Sequence, residues 1–167
     1  MNNGFKVNLP YPEVKVKAKN PTYAKIMLQN YAGMVSEMSA ICQYINHEQR
    51  IFKEYPEISD TLKHIAMVEM HHLQMIGLLS HELGADLKFW YEKKGKHQWW
   101  SPKFIDYEKT VQQMIKANIA DEKSAIAQYE KSIAEIDDNY VTAVLKRIIL
   151  DEQLHIKILT GILDTYF

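Results

Sequence analysis

The chain has 167 residues, 47% of them hydrophobic, with 20 Lys+Arg against 21 Asp+Glu. This is the profile of one compact domain with no basic footprint for nucleic acid and no acidic tail. Cys42 is the only cysteine, which excludes an intramolecular disulfide, a CxxC redox pair and a thiolate-only metal or iron-sulfur site. No apolar run approaches the roughly 18 residues that a membrane span needs, and the first twenty residues lack the apolar core of a secretion signal. The expectation is a cytoplasmic protein without nucleic-acid or membrane partners.

Residues 1–19 read as an extended N-terminal arm or short edge strand, because Val14, Val16 and Ala18 alternate with Lys15, Lys17 and Lys19. The remainder, 20–167, reads as one helical domain. All five prolines stand at or before the starts of long proline-free segments, where they bound helices without breaking them. Asn20 caps a first helix expected to reach Phe52. Residues 56–60 cap a second that stops near Gly84. Asp106 caps a third, running to Ile136, and Asp137, Asp138 and Asn139 break the chain before a fourth that ends near Asp164.

The first and second helices are joined tightly, as are the third and fourth. The connection between the pairs, residues 85–105, is long and carries Trp90, Trp99 and Trp100 around a turn at Lys93, Lys94, Gly95 and Lys96. This loop reads as a cover over the bundle or a subunit contact. The expected fold is all-α: a four-helix bundle with a long crossover between its second and third helices, the ferritin-like connectivity.

Ionisable residues interrupt the apolar stripes of all four helices. The second helix runs Leu62, Ile65 and Ala66, then Glu69 and His72, then Leu73, Ile76 and Leu79; the fourth repeats this with Glu152 and His155. The first and third each carry one lone carboxylate, Glu37 and Glu122, followed seven residues later by Tyr44 and Tyr129. The halves of the chain thus form a weak internal repeat. With a rise of about 1.5 Å per residue, Glu37 lies ~21 Å before the end of its helix, and Glu69 and His72 lie ~15–20 Å after the start of theirs. The same arithmetic puts Glu122 and Glu152 at one level, so all six groups can meet in mid-bundle.

Four carboxylates and two imidazoles in an apolar interior are prohibitive unless compensated, since each buried ion costs several kcal/mol or must neutralise. Two divalent cations would balance four carboxylates. One Glu-x-x-His among seven histidines carries little weight. Two copies, each matched with a lone glutamate, carry far more.

These motifs resemble the ferritin-like di-metal carboxylate superfamily over residues 20–164, with rubrerythrins, bacterioferritins and manganese catalases as its nearest members. The resemblance implies a metal set of Glu37, Glu69, His72, Glu122, Glu152 and His155, with Glu69 and Glu152 bridging two metal ions. Iron is the foremost expectation for the metal and manganese the alternative. Glu37, Met38 and Ser39 followed by Tyr44 are similar to the first metal helix of manganese catalases, whose spore-coat relatives share a lysine-rich leader.

Glu69, Met70 and His72 resemble bacterioferritin instead, where the equivalent methionine binds haem at a dimer axis. The glutamate that rubrerythrins carry one turn after the third-helix ligand is Ala125 here, and no CxxC module is present. An external electron donor would therefore be needed for peroxidase turnover.

The implied activity is a non-haem dinuclear oxidoreductase acting on hydrogen peroxide or dioxygen, with iron storage of the ferritin type as the alternative. A homodimer or larger homo-oligomer is the expected assembly. Tyr44 and Tyr129 are candidates for hydroxyls acting at the metals. Asp151 and Asp121 are candidates to accept the outer N–H of a ligand histidine. The other five histidines have no metal-spaced partner and read as surface or satisfied groups.

Overall fold

The computed structural model describes the backbone of residues 3–167; the first two residues of the arm lie outside the described residues. The expected bundle is present, with one difference in its first helix. Residues expected to form one helix from 20 to 52 form two, α1 (Pro21–Ala32) and α2 (Glu37–Ile51). They are followed by α3 (Pro56–Glu82), α4 (Val111–Glu135) and α5 (Asn139–Tyr166). At about 1.5 Å per residue the last three are each roughly 40 Å long.

The break at residues 33–36 has a local cause. Gly33 leaves the helix in an extended conformation while its N–H still bonds Gln29 O. Ser36 caps α2, accepting from Ser39 N and donating to Gly33 O at 2.8 Å. Across the bundle, Gln128 on α4 donates to Val35 O at 2.6 Å and so satisfies a carbonyl that the interrupted helix leaves free. The apolar periodicity runs unbroken through this stretch, which is why pattern alone reads it as one helix.

One other boundary moved. Helix α4 starts at a full capping box between Thr110 and Gln113 rather than at Asp106. Asp106 instead closes its own turn by accepting from Glu108 N at 2.9 Å. Asp138 caps α5 through bonds from Tyr140 N and Val141 N.

The crossover leaves the C-terminal end of α3 beside Asn20, whose N–H bonds Leu83 O. It rejoins the bundle beside the C-terminal end of α2, where Arg50 donates to Glu108 O and His47 bonds Asp106 O. It therefore travels the length of the bundle, and α3 and α4 run parallel. Within it lies a hairpin absent from the all-α expectation, β1 (Trp90–Lys93) paired antiparallel with β2 (Lys96–Trp99). Its turn needs positive φ at both central residues, supplied by Lys94 at 52° and Gly95 at 72°. The hairpin packs on α1 through a Lys25–Glu92 ion pair, and Phe89 just before it stacks on Tyr31. Trp100 donates its indole N–H to Ser39 Oγ on α2.

Two apolar clusters fill the bundle. One gathers Met27, Ile76, Leu79, Val144, Leu145 and Ile148; the other gathers Ile58, Leu62, Ile65, Ile115 and Leu159. Each such side chain contributes about 1.5–3 kcal/mol on full burial. The six ionisable groups lie between the two clusters in the chain order of α3 and α5.

The arm opens with a single 3-10 turn at Asn3–Phe5, then runs without regular secondary structure and pairs with no strand among the described residues. It lies over α3 and α5, with Tyr11, Val14 and Val16 packed against the first apolar cluster. Arg147 of α5 holds it by donating to Val7 O and Leu9 O.

A Cβ on Gly33 would overlap the backbone oxygen of Gln29. Gly33→Ala should therefore destabilise the protein by about 1–3 kcal/mol, as forced overpacking does, read from denaturant unfolding midpoints.

Candidate metal centre

All six sequence-predicted ligands converge in the interior, each at most 4% exposed. Glu37 stands in the first turn of α2, a position the helix break creates and one that favours an ionised carboxylate. Glu69 and His72 project from α3, Glu122 from α4, and Glu152 and His155 from α5. The i, i+3 spacing on α3 and α5 stacks each Glu-His pair on one helix face.

The distances divide the carboxylates into two kinds. The oxygens of Glu69 face different imidazoles, Oε2 lying 2.8 Å from His72 Nδ1 and Oε1 2.9 Å from His155 Nδ1. Glu152 does the same, with Oε1 3.3 Å from His72 Nδ1 and Oε2 3.2 Å from His155 Nδ1. Glu37 approaches only His72, at 3.9 Å, and Glu122 approaches only His155, at 3.4 Å.

Two four-donor clusters result, Glu37, Glu69, His72 and Glu152, and Glu69, Glu122, Glu152 and His155. Within each, one donor atom per residue lies within 4.8 Å of all the others.

The outer shell of the site is cross-braced. Tyr44 of α2 donates to Glu122 on α4, and Tyr129 of α4 donates to Glu37 on α2. The internal repeat of the sequence thus becomes a reciprocal pair of bonds across the bundle. Asp151 Oδ2 accepts from His72 Nε2 at 3.2 Å, the role expected for it. Because a carboxylate only accepts, Nε2 carries a proton, and Nδ1 faces the glutamates.

Asp121 does not serve the other imidazole; its carboxylate accepts from Gln43. The partner of His155 Nε2 is the backbone carbonyl of Phe5, at 2.9 Å.

Several contributing residues escaped the sequence reading. Arg147 is buried, ion-paired with Asp151 at 2.8 Å, and covered by the Tyr11 ring. Tyr11 also donates its hydroxyl to Asp151 at 2.6 Å, and Val7 N donates to the same carboxylate at 2.7 Å. The available signal was the i, i+4 spacing of Arg147 and Asp151; nothing local marks the arm. His47 is fully buried and bonded to Asn118 and Asp106, a satisfied core histidine. Met70 lies exposed on the outer side of α3, away from the six groups.

Electrostatics describe a site that uses protons where cations are missing. Burial, reinforced by Glu69, pushes the Glu37 carboxyl well above its ordinary range, and burial with Glu152 does the same to Glu122. Burial opposes charge on the imidazoles, yet Glu152 and Glu69 hold His72 well above its ordinary value, and Glu69 does so for His155. Burial also opposes charge on Glu69, but the two imidazoles outweigh it and hold that carboxyl low. Burial and the nearby carboxylates keep the Tyr44 and Tyr129 hydroxyls protonated far into the alkaline range.

The donor set fits a pair of divalent cations. It supplies carboxylate oxygens and imidazole nitrogens only, and Glu69 Oε1 has no hydrogen bond of acceptable geometry despite complete burial.

A small cavity of about 40 Å³ opens beside the carboxylates, where α2 and α4 face one another. Glu37, Tyr44, Glu69, Glu122, Tyr129 and Glu152 form its inner wall. Met34, Val35, Phe104 and Ala125 lie around it toward the helix break and the crossover. At a requirement of about 10–15 Å³ per water, it accepts a molecule of a few heavy atoms and nothing larger.

An all-helical bundle with a carboxylate-histidine cluster at mid-height defines a ferritin-like protein. More specifically, residues 31–163 match the Rubrerythrin family, and the chain belongs to that family. It is 24% identical over 163 residues to a probable manganese catalase of Clostridium acetobutylicum, spanning 86% of this chain and 71% of that protein. It is also 33% identical over 82 residues to Protein CotJC of Bacillus subtilis. That match spans 49% of this chain and 41% of the relative, so less than half of CotJC is represented.

Among solved structures, KatB, a manganese catalase from Anabaena PCC7120, superposes with a TM-score of 0.84 at 24% identity, covering 95% of this chain and 78% of that one. The bacterioferritin of Desulfovibrio desulfuricans superposes with a TM-score of 0.71 at 22% identity, covering 86% and 79%. These likenesses establish the fold.

In the metal-free protein, Glu37, Glu122, His72 and His155 all bind protons more tightly folded than unfolded. Their stabilisation is complete below the ordinary values of 4.5 and 6.5 and is lost as pH rises through the folded values. Chelator-treated protein should therefore melt at progressively lower temperature from about pH 5 to about pH 8, and saturating Mn(II) should flatten or reverse the trend because cations displace the protons. Thermal scans at four or five pH values, with and without metal, check this.

Proposed function

We propose that the chain is a dinuclear non-haem metal oxidoreductase, with iron or manganese at the centre, that acts on hydrogen peroxide or dioxygen. Peroxide disproportionation of the catalase kind is the reading favoured among these. The observation that carries it is the pair of shared glutamates, Glu69 and Glu152, each turning its two oxygens to two different imidazoles beside a cavity of small-molecule size. The likeness to manganese catalases in sequence and fold supports the same reading.

In this reading Glu69 and Glu152 would be shared by two metal ions, with Glu37 and His72 helping to hold one and Glu122 and His155 the other. A redox-active metal pair, when bound, would supply two-electron chemistry, accepting two electrons from one peroxide as it is oxidised to dioxygen and two protons and returning them to a second, which with two protons gives two waters. The residues of the chain bind, orient and exclude. Tyr129 holds its proton and donates to Glu37 Oε1, leaving Oε2, the oxygen nearer His72, for the metal. Tyr44 donates instead to Glu122 Oε1, the oxygen that also lies nearest His155, and so fixes the orientation of that carboxylate.

Asn118 lines the cavity, and its buried Nδ2 has no partner among the described residues, which offers a hydrogen-bond donor to a bound oxidant. The apolar clusters on either side keep bulk water from the centre.

Elemental analysis of protein purified without added metal or chelator tests the centre. Two irons or two manganese ions per chain are expected, and no metal after anaerobic Fe(II) or Mn(II) loading would overturn the reading. Manganese with dioxygen evolution and no added reductant marks a catalase. Iron with reductant-dependent peroxide consumption marks a peroxidase. Glu69→Ala removes a shared ligand and should abolish paired metal binding and peroxide consumption together; a variant that keeps both ions defeats the assignment. Given the cavity volume, hydrogen peroxide should be turned over while cumene hydroperoxide is consumed only at the metal-free background rate.

A further inference from the structure

The two halves of the centre differ at the outer nitrogens of the imidazoles. His72 Nε2 is held by the carboxylate of Asp151, the residue preceding Glu152 on α5. The corresponding residue on α3, preceding Glu69, is Val68, which has no acceptor to offer His155. The N-terminal arm stands in that place. Phe5 O accepts from His155 Nε2, and two residues on Val7 N donates to Asp151 Oδ1, so one short stretch of backbone serves the outer sides of both imidazoles.

We propose that the N-terminal arm is a built part of the centre and that Phe5, through its backbone carbonyl, positions His155 and thereby controls retention of the metal on the Glu122–His155 side. The inference rests on the dinuclear reading above.

The two supports are unequal. Asp151 sits on a helix and is itself clamped by Arg147, Tyr11 and Val7 N, so His72 is oriented by a fixed anion that raises its basicity toward a metal. His155 is oriented by a neutral carbonyl at the end of a single 3-10 turn in the arm. That segment is anchored locally by the Phe5 ring, which stacks on His64 at 5.0 Å and 8°, and further on by the bonds from Arg147 to Val7 and Leu9. When the carbonyl leaves, His155 Nε2 loses its one described partner and the constraint that keeps the proton off Nδ1 goes with it. The metal beside Glu122 and His155 is then the one released, while the other remains.

The test uses two arm variants and one helix variant, each loaded with Mn(II). One begins at position 6 with K6M and so lacks the Phe5 carbonyl. The other is full-length F5G, which loses the stack on His64 and gains backbone freedom, and it carries the test if the shortened chain does not fold. D151N weakens the opposite support.

Wild-type protein should bind two Mn(II) per chain with the spin-coupled spectrum of a pair. Both arm variants should keep one tight ion and hold the second about 10- to 100-fold more weakly, the usual loss when an outer support of a ligand is removed. Their electron paramagnetic resonance spectrum should change to that of an isolated ion. D151N should weaken the other ion, so that F5G with D151N loses both.

Two ions held at wild-type affinity in both arm variants would overturn the proposal, as would equal weakening of both ions in either. Absence of a pair in the wild-type chain would instead overturn the dinuclear reading itself.

Discussion

Six ionisable side chains at the mid-height of a helical bundle dominate this protein. Four carboxylates and two imidazoles, almost completely buried, cannot be left uncompensated, because the unscreened cost of such a set exceeds the whole stability of a domain this size. The structure compensates them in layers. Protons shared between glutamates and imidazoles neutralise the interior when cations are missing, the tyrosines bond reciprocally across the bundle, and Arg147 with Asp151 forms a buried ion pair just outside. The same arrangement of donors suits divalent cations, so the electrostatic problem and the proposed chemistry have one geometry.

The bundle is organised around that layer. Apolar clusters lie on both sides of it along the helices, and they do most of the stabilising while the polar layer fixes register: a one-residue slip of α3 or α5 would turn Glu69 or Glu152 away by about 100°. The interruption between α1 and α2 belongs to the same logic. It places Glu37 at a helix start, frees Val35 O for Gln128 on the opposite helix, and leaves the narrow cavity beside the carboxylates. Continuous helix through Gly33 would change all three together.

Much of the centre was legible in the chain because helical spacing is a strict geometric code. Glu69 with His72 and Glu152 with His155 announce themselves as polar breaks in otherwise apolar stripes, and the rise per residue brings Glu37 and Glu122 to the same height. Tyr44 and Tyr129 were legible as candidates only; that each bonds the glutamate of the other helix depends on how α2 and α4 face one another. Asp121 and Asp151 look alike in the sequence, each just before a buried glutamate, yet only Asp151 meets an imidazole, because α5 packs against α3 whereas Asp121 faces α2. The break at residues 33–36 was hidden under unbroken apolar periodicity; in the crossover the turn at residues 93–96 was legible, but the pairing of Trp90–Lys93 with Lys96–Trp99 around it was not.

The sequence by itself determined the class of fold, the long crossover and the six residues that converge, since all follow from periodicity, punctuation and spacing along single helices. Tertiary structure alone decided what surrounds them: which carboxylate oxygen faces which imidazole, where the cavity opens, and that an arm near the start of the chain supplies an acceptor to His155. Those contacts join residues up to 150 positions apart through backbone atoms, and a backbone carbonyl is the same in every residue, so no side-chain pattern can announce it.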